Sequence, residues 1–252
     1  MNDSANYDNP SFLPAPMRIL SGSMLKLIAC ILMLIDHTGA MILSLYTPAM
    51  RPFITIGHNV YSFYGVTRGV GRLAFPIFCF LIVEGVSHTR NRFRYGRNLL
   101  IFAFISEIPW NIGLGRNLHY AKQNVYFTLF IGFVTICLVE YFEANRLIQV
   151  LVMFAMLFVS VKLNADYSYR GYILIMIMYW LRKERAAQAL IASVWLKYEW
   201  AAGFAFIPIN MYNGKRGFIR SKPLKYGFYL FYPVHIIILI LIRWKFFGIR
   251  GI

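Results

Sequence analysis

Acidic side chains are scarce in this chain: 10 Asp and Glu stand against 26 Lys and Arg, a formal net charge of +16. Charged residues of either sign are only 14%, while 59% of residues are hydrophobic. A soluble domain of 252 residues needs far more polar surface. The composition implies an integral membrane protein with nearly all its mass in the bilayer. Cysteine is also sparse. Cys30, Cys79 and Cys137 each sit in an apolar run without close spacing, so they read as packing residues, neither a disulfide framework nor a thiolate metal site. The chain lacks a Walker loop, a dinucleotide glycine fingerprint, an HExxH pair and a G-x-S-x-G elbow. It has no filter-like loop and no Arg-rich voltage-sensing span. These absences argue against nucleotide-loop enzymes, zinc or serine hydrolases and ion channels, and no metal is expected. Nucleic acid is an unsuitable partner, because the basic residues are divided among short loops. The opening "MNDSANYDNPSFLPAP" has no charged n-region leading into an apolar core, so no cleaved signal peptide is expected.

What the chain has in abundance is long apolar runs. Candidate spans fall at about 24–46, 71–88, 98–113, 124–143, 146–163, 167–181, 187–200, 201–213 and 226–246. The expected fold is all-α, a polytopic membrane helix bundle of about 8–10 transmembrane helices. Residues 1–23 read as a polar cytoplasmic tail, 24–246 as a single membrane domain and 247–252 as a short tail. Region 187–213 is either one bent span or two short ones. The aromatic stretch 47–70 is suited to a short interfacial or re-entrant helix. With alternating spans, the clusters "TRNRFRYGR", "RKER" and "GKRGFIRSKPLK" share one side, which the positive-inside rule places in the cytoplasm with the N-terminus.

Ionisable residues interrupt these runs. In "LKLIACILMLIDHTGAMILSLY", Lys26, Cys30, Met33, His37 and Ser44 are spaced to share one helix face. Lys26 and His37 lie about 16 Å apart along the axis. Asp36 adjoins His37 but points about a quarter-turn away. Ionisable groups at this depth cost several kcal/mol unless they face a bundle interior or a wet cavity, and there they are functional candidates. The alternative is a polar pair that only glues helices together. In the next run, Glu84 and His88 are four apart and share a face, Arg72 sits at the far end, and "FP" at Phe75–Pro76 permits a kink. Arg90, Arg92, Arg94 and Arg97 follow. They set topology and also match the oxygens of a phosphate ligand. Glu107 lies within its own span, close to Pro109. His235, in the last span, reads either as a packed core residue or as a ligand or substrate contact.

The stretches "LKLIACILMLIDHTGAM", "GRLAFPIFCFLIVEGVSHTRNRFRYGRNLLIFAFISEIPWN", "QNVYFTL", "DYSYRGY" and "YNGKRG…KYGFYLFYPVHI" resemble the TraX family across residues of about 25–240. The resemblance extends to the wider group of membrane acyltransferases that includes acyltransferase family 3. In that group a basic residue precedes a His by the spacing seen between Lys26 and His37, with Lys here where Arg is usual. "RFR" at 92–94 resembles the group's later basic motif. TraX proteins are bacterial inner-membrane proteins whose named activity is acetylation of a pilin amino terminus.

The resemblance implies an acetyl-CoA-dependent acetyltransferase of the bacterial cytoplasmic membrane, acting on a peptide amine or a glycan hydroxyl. It implies His37 as general base with Asp36 beside it, and Glu84 or Glu107 fixing the imidazole. Donor phosphates are expected at Arg90, Arg92, Arg94, Arg97, Lys215 and Arg216, with the pantetheine arm along the face from Lys26 to His37. Supporting roles fall to Arg72, Glu84, His88, Glu107 and His235. Two other readings compete. One is a small proton-coupled transporter or flippase with Asp36, His37, Glu84 and Glu107 as its relay. The other is an assembly factor whose basic loops recruit a partner.

Overall fold

The computed structural model describes residues 11–56, 59–115, 118 and 120–248. Short polar residues start most of its helices. The Ser21 hydroxyl accepts the Met24 N–H at 3.3 Å and opens α1 (Gly22–Met41). A single-turn helix, α2 (Thr47–Met50), leads into an antiparallel hairpin of β1 (Pro52–Ile56) and β2 (Asn59–Ser62). Ser62 caps α3 (Phe63–Gly71), and α4 (Ala74–His88) continues it after a break at Arg72 and Leu73. Pro76 accounts for that break. It has no N–H to give the Arg72 carbonyl, and its ring crowds that oxygen. The kink expected at Phe75–Pro76 therefore falls one turn earlier.

Asn91 accepts the Arg94 N–H at 2.7 Å and opens α5 (Arg92–Trp110), which runs past Pro109 into a π-helical turn at Asn111–Gly115. Asn124 and Asn145 cap α6 (Val125–Tyr141) and α7 (Arg146–Lys162) in the same way. Then come α8 (Ser168–Trp180), α9 (Arg185–Trp195), α10 (Phe206–Asn210) and α11 (Lys222–Phe247).

Four stretches are long and apolar enough to cross a membrane: Gly22–Leu45, Phe63–His88, Arg92–Gly115 and Lys222–Phe247. The shorter helices pack alongside them, and the result is an all-α bundle of a multi-pass membrane protein. On α7, Leu147, Leu151, Phe154 and Phe158 are exposed, an apolar face suited to lipid rather than water. Inside, Ile77, Phe80, Ile136, Leu174 and Met178 are fully buried in one core. Helices approach most closely where a side chain is missing. A Cβ at Gly132 would lie 2.5 Å from Ile175 Cδ1, so α6 meets α8 only because position 132 carries none.

Three regions differ from the sequence reading. Residues 47–70 hold a hairpin, and α3 takes up the rest, so the second long span begins at Phe63 rather than near 71. Region 187–213 is broken into α9, a 3-10 segment at Lys197–Ala205 and α10, with Glu199 in non-helical backbone at the break. Residues 11–21 pack against the chain instead of forming a free tail. Ser11 Oγ donates to the Asn210 carbonyl at 2.6 Å, and the Leu20 N–H donates to the Met211 carbonyl at 2.9 Å. Residues 1–10 and 249–252 of the two expected tails lie outside the described residues.

Candidate active site

His37 on α1 and His235 on α11 meet in the centre of the bundle, 198 residues apart in the chain. His37 Nδ1 lies 2.7 Å from His235 Nε2, and the two rings are within 7° of parallel. Both are buried. His235 Nδ1 lies 2.7 Å from the Phe231 carbonyl, one turn back on α11. A carbonyl only accepts, so His235 Nδ1 carries a proton and donates it. A neutral His235 then accepts at Nε2, which makes His37 Nδ1 the donor. The chain of bonds leaves His37 Nε2 as the ring's lone-pair nitrogen. Tyr232 packs edge-on against His37 with centroids 5.9 Å apart, and Trp110 closes another side at 6.2 Å. Trp110 is itself held by an Nε1 bond of 2.7 Å to the Lys122 carbonyl.

His37 forms part of the wall of a cavity of about 290 Å³. Two ion pairs frame it. Asp36 bonds Arg68 at 2.6 Å, and Arg72 bonds Glu199 at 3.2 Å and the Tyr167 hydroxyl at 3.1 Å. Asp36 Oδ1 and Glu199 Oε2 are buried and have no further partner among the described residues. Asp166, in the turn before α8, also faces this cavity, and burial pushes its carboxyl up to about 6. The Tyr232 hydroxyl is buried without a partner among the described residues. Gly71 permits the arrangement. A Cβ there would lie 2.3 Å from Asp36 Cβ, so any side chain would push apart the helices that carry Asp36 and Arg72.

A larger cavity of about 730 Å³ lies toward the end of the bundle where the N-terminus of α1, the α4–α5 turn and the 213–221 loop converge. Lys26, Arg90, Arg94, Arg216 and Lys225 stand on its wall. Helix faces run from one cavity to the other. On α1, Lys26 faces the large cavity and Met33 and His37 the small one. On α11, Lys225, Phe228 and Tyr229 face the large cavity and Tyr232 the small one. On α4, Phe78 lines both.

The expected site residues divide accordingly. Lys26, Glu84, His88, Arg90, Arg94 and Arg216 share the large cavity, and Asp36, His37 and Arg72 share the small one. Arg92, Arg97 and Lys215 are not on either wall. Residues 92, 94 and 97 open a helix and point in different directions around it. Arg92 turns away to pair with Glu140 on α6. Neither carboxylate expected to fix the imidazole reaches it. Glu84 bonds Arg185 at 2.8 Å, and Glu107 accepts from Asn124 at 2.5 Å, which anchors the start of α6. His235, read as a core residue or a ligand contact, is the group that bonds His37.

The sequence reading missed Arg68, Glu199 and Arg185. Arg68 lies four residues before Arg72 and so shares its face, a signal that was legible. Arg185 belongs to "RKER" and reads as one more loop charge. Among the described residues no cluster of His, Cys, Asp and Glu forms a metal site.

Fold and site together define a polytopic membrane bundle with a buried histidine pair beside one cavity and a cation-lined cavity beyond it. Residues 21–243 match the family model described as "TraX protein", and the chain belongs to that family. It is similar to the probable fimbrial assembly protein FimC, serogroup H1, of Dichelobacter nodosus. The two are 30% identical over 251 residues, covering 87% of this chain and 94% of that protein. No solved structure matches the chain.

Proposed function

We propose that this protein is a membrane acetyltransferase that moves an acetyl group from acetyl-CoA on the cytoplasmic side of a bacterial inner membrane to an amine or hydroxyl acceptor in the His37 cavity. The observation that carries this reading is the bonded series Phe231 carbonyl, His235, His37, which leaves Nε2 as the lone-pair nitrogen of a histidine that lines the small cavity. An imidazole so held is suited to general-base work near neutral pH.

Acetyl-CoA, when bound, supplies the acyl group as a thioester. The cations of the large cavity fit its phosphates: Lys26, Arg90, Arg94, Arg216 and Lys225 gather on one wall, next to the aromatic Phe228 and Tyr229. His37 Nε2 takes the proton of the acceptor N–H or O–H as the new bond to the acyl carbon forms. It returns that proton to the sulfur as the carbon–sulfur bond breaks. His235 keeps the ring in the tautomer that can do both. The unpaired Tyr232 hydroxyl provides a hydrogen-bond donor in the same enclosure. Asp36 Oδ1, Glu199 Oε2 and Asp166 place acceptor oxygens around the cavity and favour a ligand with N–H groups to offer. The similarity to a fimbrial assembly protein accords with a pilin-like acceptor peptide.

The relay reading needs its carboxylates in contact with His37. Asp36, Glu84 and Glu107 bond Arg68, Arg185 and Asn124 instead, which weighs against it.

The test is calorimetric binding of acetyl-CoA to detergent-purified protein, with transfer of labelled acetyl to a synthetic amino-terminal peptide measured beside it. Arg94→Ala and Arg216→Ala are each expected to weaken donor binding by about 10-fold or more, as a charge-assisted bond of about 1.5–3 kcal/mol implies. Arg97→Ala is expected to change it little. Wild-type protein that is folded but neither binds the donor nor transfers acetyl overturns the reading.

A further inference from the structure

The two cavities have one lining residue in common, Phe78. On α4, Phe75 lines the small cavity, Leu81 and Ile82 line the large one, and Phe78 lines each of them. Phe78 is half-buried, held against the core but not locked within it. On α1, buried Cys30 and Met33 lie between Lys26 and His37. Tyr232 of the small cavity and Tyr126 of the large one stand edge to face at 5.2 Å. Tyr126 is fixed by its hydroxyl bond of 3.1 Å to the Tyr229 carbonyl. The Phe78 ring has no polar atom through which a hydrogen bond could anchor it.

A group that reaches from the cation-lined cavity to His37 passes the level of Phe78, the residue the two cavities share. The distance from Lys26 to His37, about 16 Å along α1, has to be spanned past it. We infer that Phe78 sets the size of the acyl group this protein transfers, because the acyl chain must fit in the gap between the Phe78 ring and the His37 ring. The inference rests on the acyltransferase reading given above. It names a specificity residue that touches the transferred group and leaves the proton transfer to His37. On this placement each methylene beyond acetyl has to be accommodated against the phenyl ring. In an apolar pocket one methylene is worth roughly 10–200-fold in discrimination.

The test compares turnover of acetyl-, butyryl- and hexanoyl-CoA by wild type, Phe78→Leu, Phe78→Ala and Phe78→Trp, with a synthetic amino-terminal peptide as acceptor. Donor binding is measured separately for each protein by calorimetry. Wild type is expected to favour acetyl. In Phe78→Ala the ratio of butyryl to acetyl turnover is expected to rise at least about 10-fold. Phe78→Leu is expected to rise less, and Phe78→Trp to lower the ratio. Binding of the CoA moiety is expected to stay within a few-fold of wild type, since its cations lie elsewhere. The Leu variant keeps an apolar side chain of similar reach, so it remains informative if the Ala variant does not fold. An active wild type with the same chain-length ratio in Phe78→Leu and Phe78→Trp overturns this inference and leaves the acyltransferase reading standing. A wild type that transfers none of the three acyl groups overturns both.

Discussion

His37→Ala is expected to lower acetyl transfer by about 10²–10⁴-fold, the usual worth of a general base, while donor binding stays near the wild-type value. The two effects separate because of the geometry. The cations that fit the donor's phosphates surround the large cavity, whereas His37 lies in the small one beyond Phe78. The variant should keep its fold. His37 is a buried ring hydrogen-bonded to His235, and its loss leaves His235 Nδ1 bonded to the Phe231 carbonyl. His235→Phe is the companion variant. It keeps ring volume and removes the acceptor that fixes the His37 tautomer, so it should lose activity by a smaller factor. Initial rates, calorimetric binding and thermal unfolding in detergent check these four statements. A folded His37→Ala protein with full activity removes His37 from the chemistry and ends the proposed mechanism.

Arg185→Ala is expected to destabilise the protein by about 3–5 kcal/mol, because it strands the Glu84 carboxylate in the bundle. Glu84 and Arg185 are joined at 2.8 Å with side chains only 5% and 2% exposed. Arg185 has further partners that hold it. It donates to Gln188 Oε1 at 2.9 Å and lies 4.4 Å from the centre of the Phe80 ring. Glu84 Oε2 has no hydrogen-bond partner among the described residues, so loss of the guanidinium leaves the carboxylate with little compensation. The double variant Glu84→Leu, Arg185→Met tests the cause. Replacing a whole buried ion pair by apolar groups is often neutral, so the double variant should recover most of the loss. Thermal unfolding of wild type, Glu84→Leu, Arg185→Met and the double variant in one detergent supplies the cycle. A double variant as unstable as Arg185→Ala would refute the stranded charge as the cause.

Much of the fold was legible because bilayer-spanning helices announce themselves by composition. The runs at 24–46 and 226–246 became α1 and α11 with small changes of boundary. The hairpin at Pro52–Ser62 was missed, since a short aromatic stretch suits an interfacial helix and a strand pair equally well. The break before α4 was anticipated from Pro76 but placed one turn late. In the site, His37 and Lys26 stood out because an ionisable residue in a spanning run is costly wherever it lacks a purpose. The carboxylates stood out for the same reason, yet their partners did not.

The sequence by itself determined that this is a membrane helix bundle, that its basic loops gather at one end, and that a Lys-to-His face runs along the first span. Those properties follow from local periodicity and from the cost of burying charge, and both act within a single helix. Only the tertiary structure decided what each buried group bonds. His235 reaches His37 across 198 residues, and Arg185 reaches Glu84 across 101. Arg68 takes Asp36, and Phe78 comes to line both cavities. Such pairings depend on how helices are placed around one another, which is set by where Gly71 and Gly132 let backbones approach and where Pro76 breaks the run. No property of one helix taken alone carries that information.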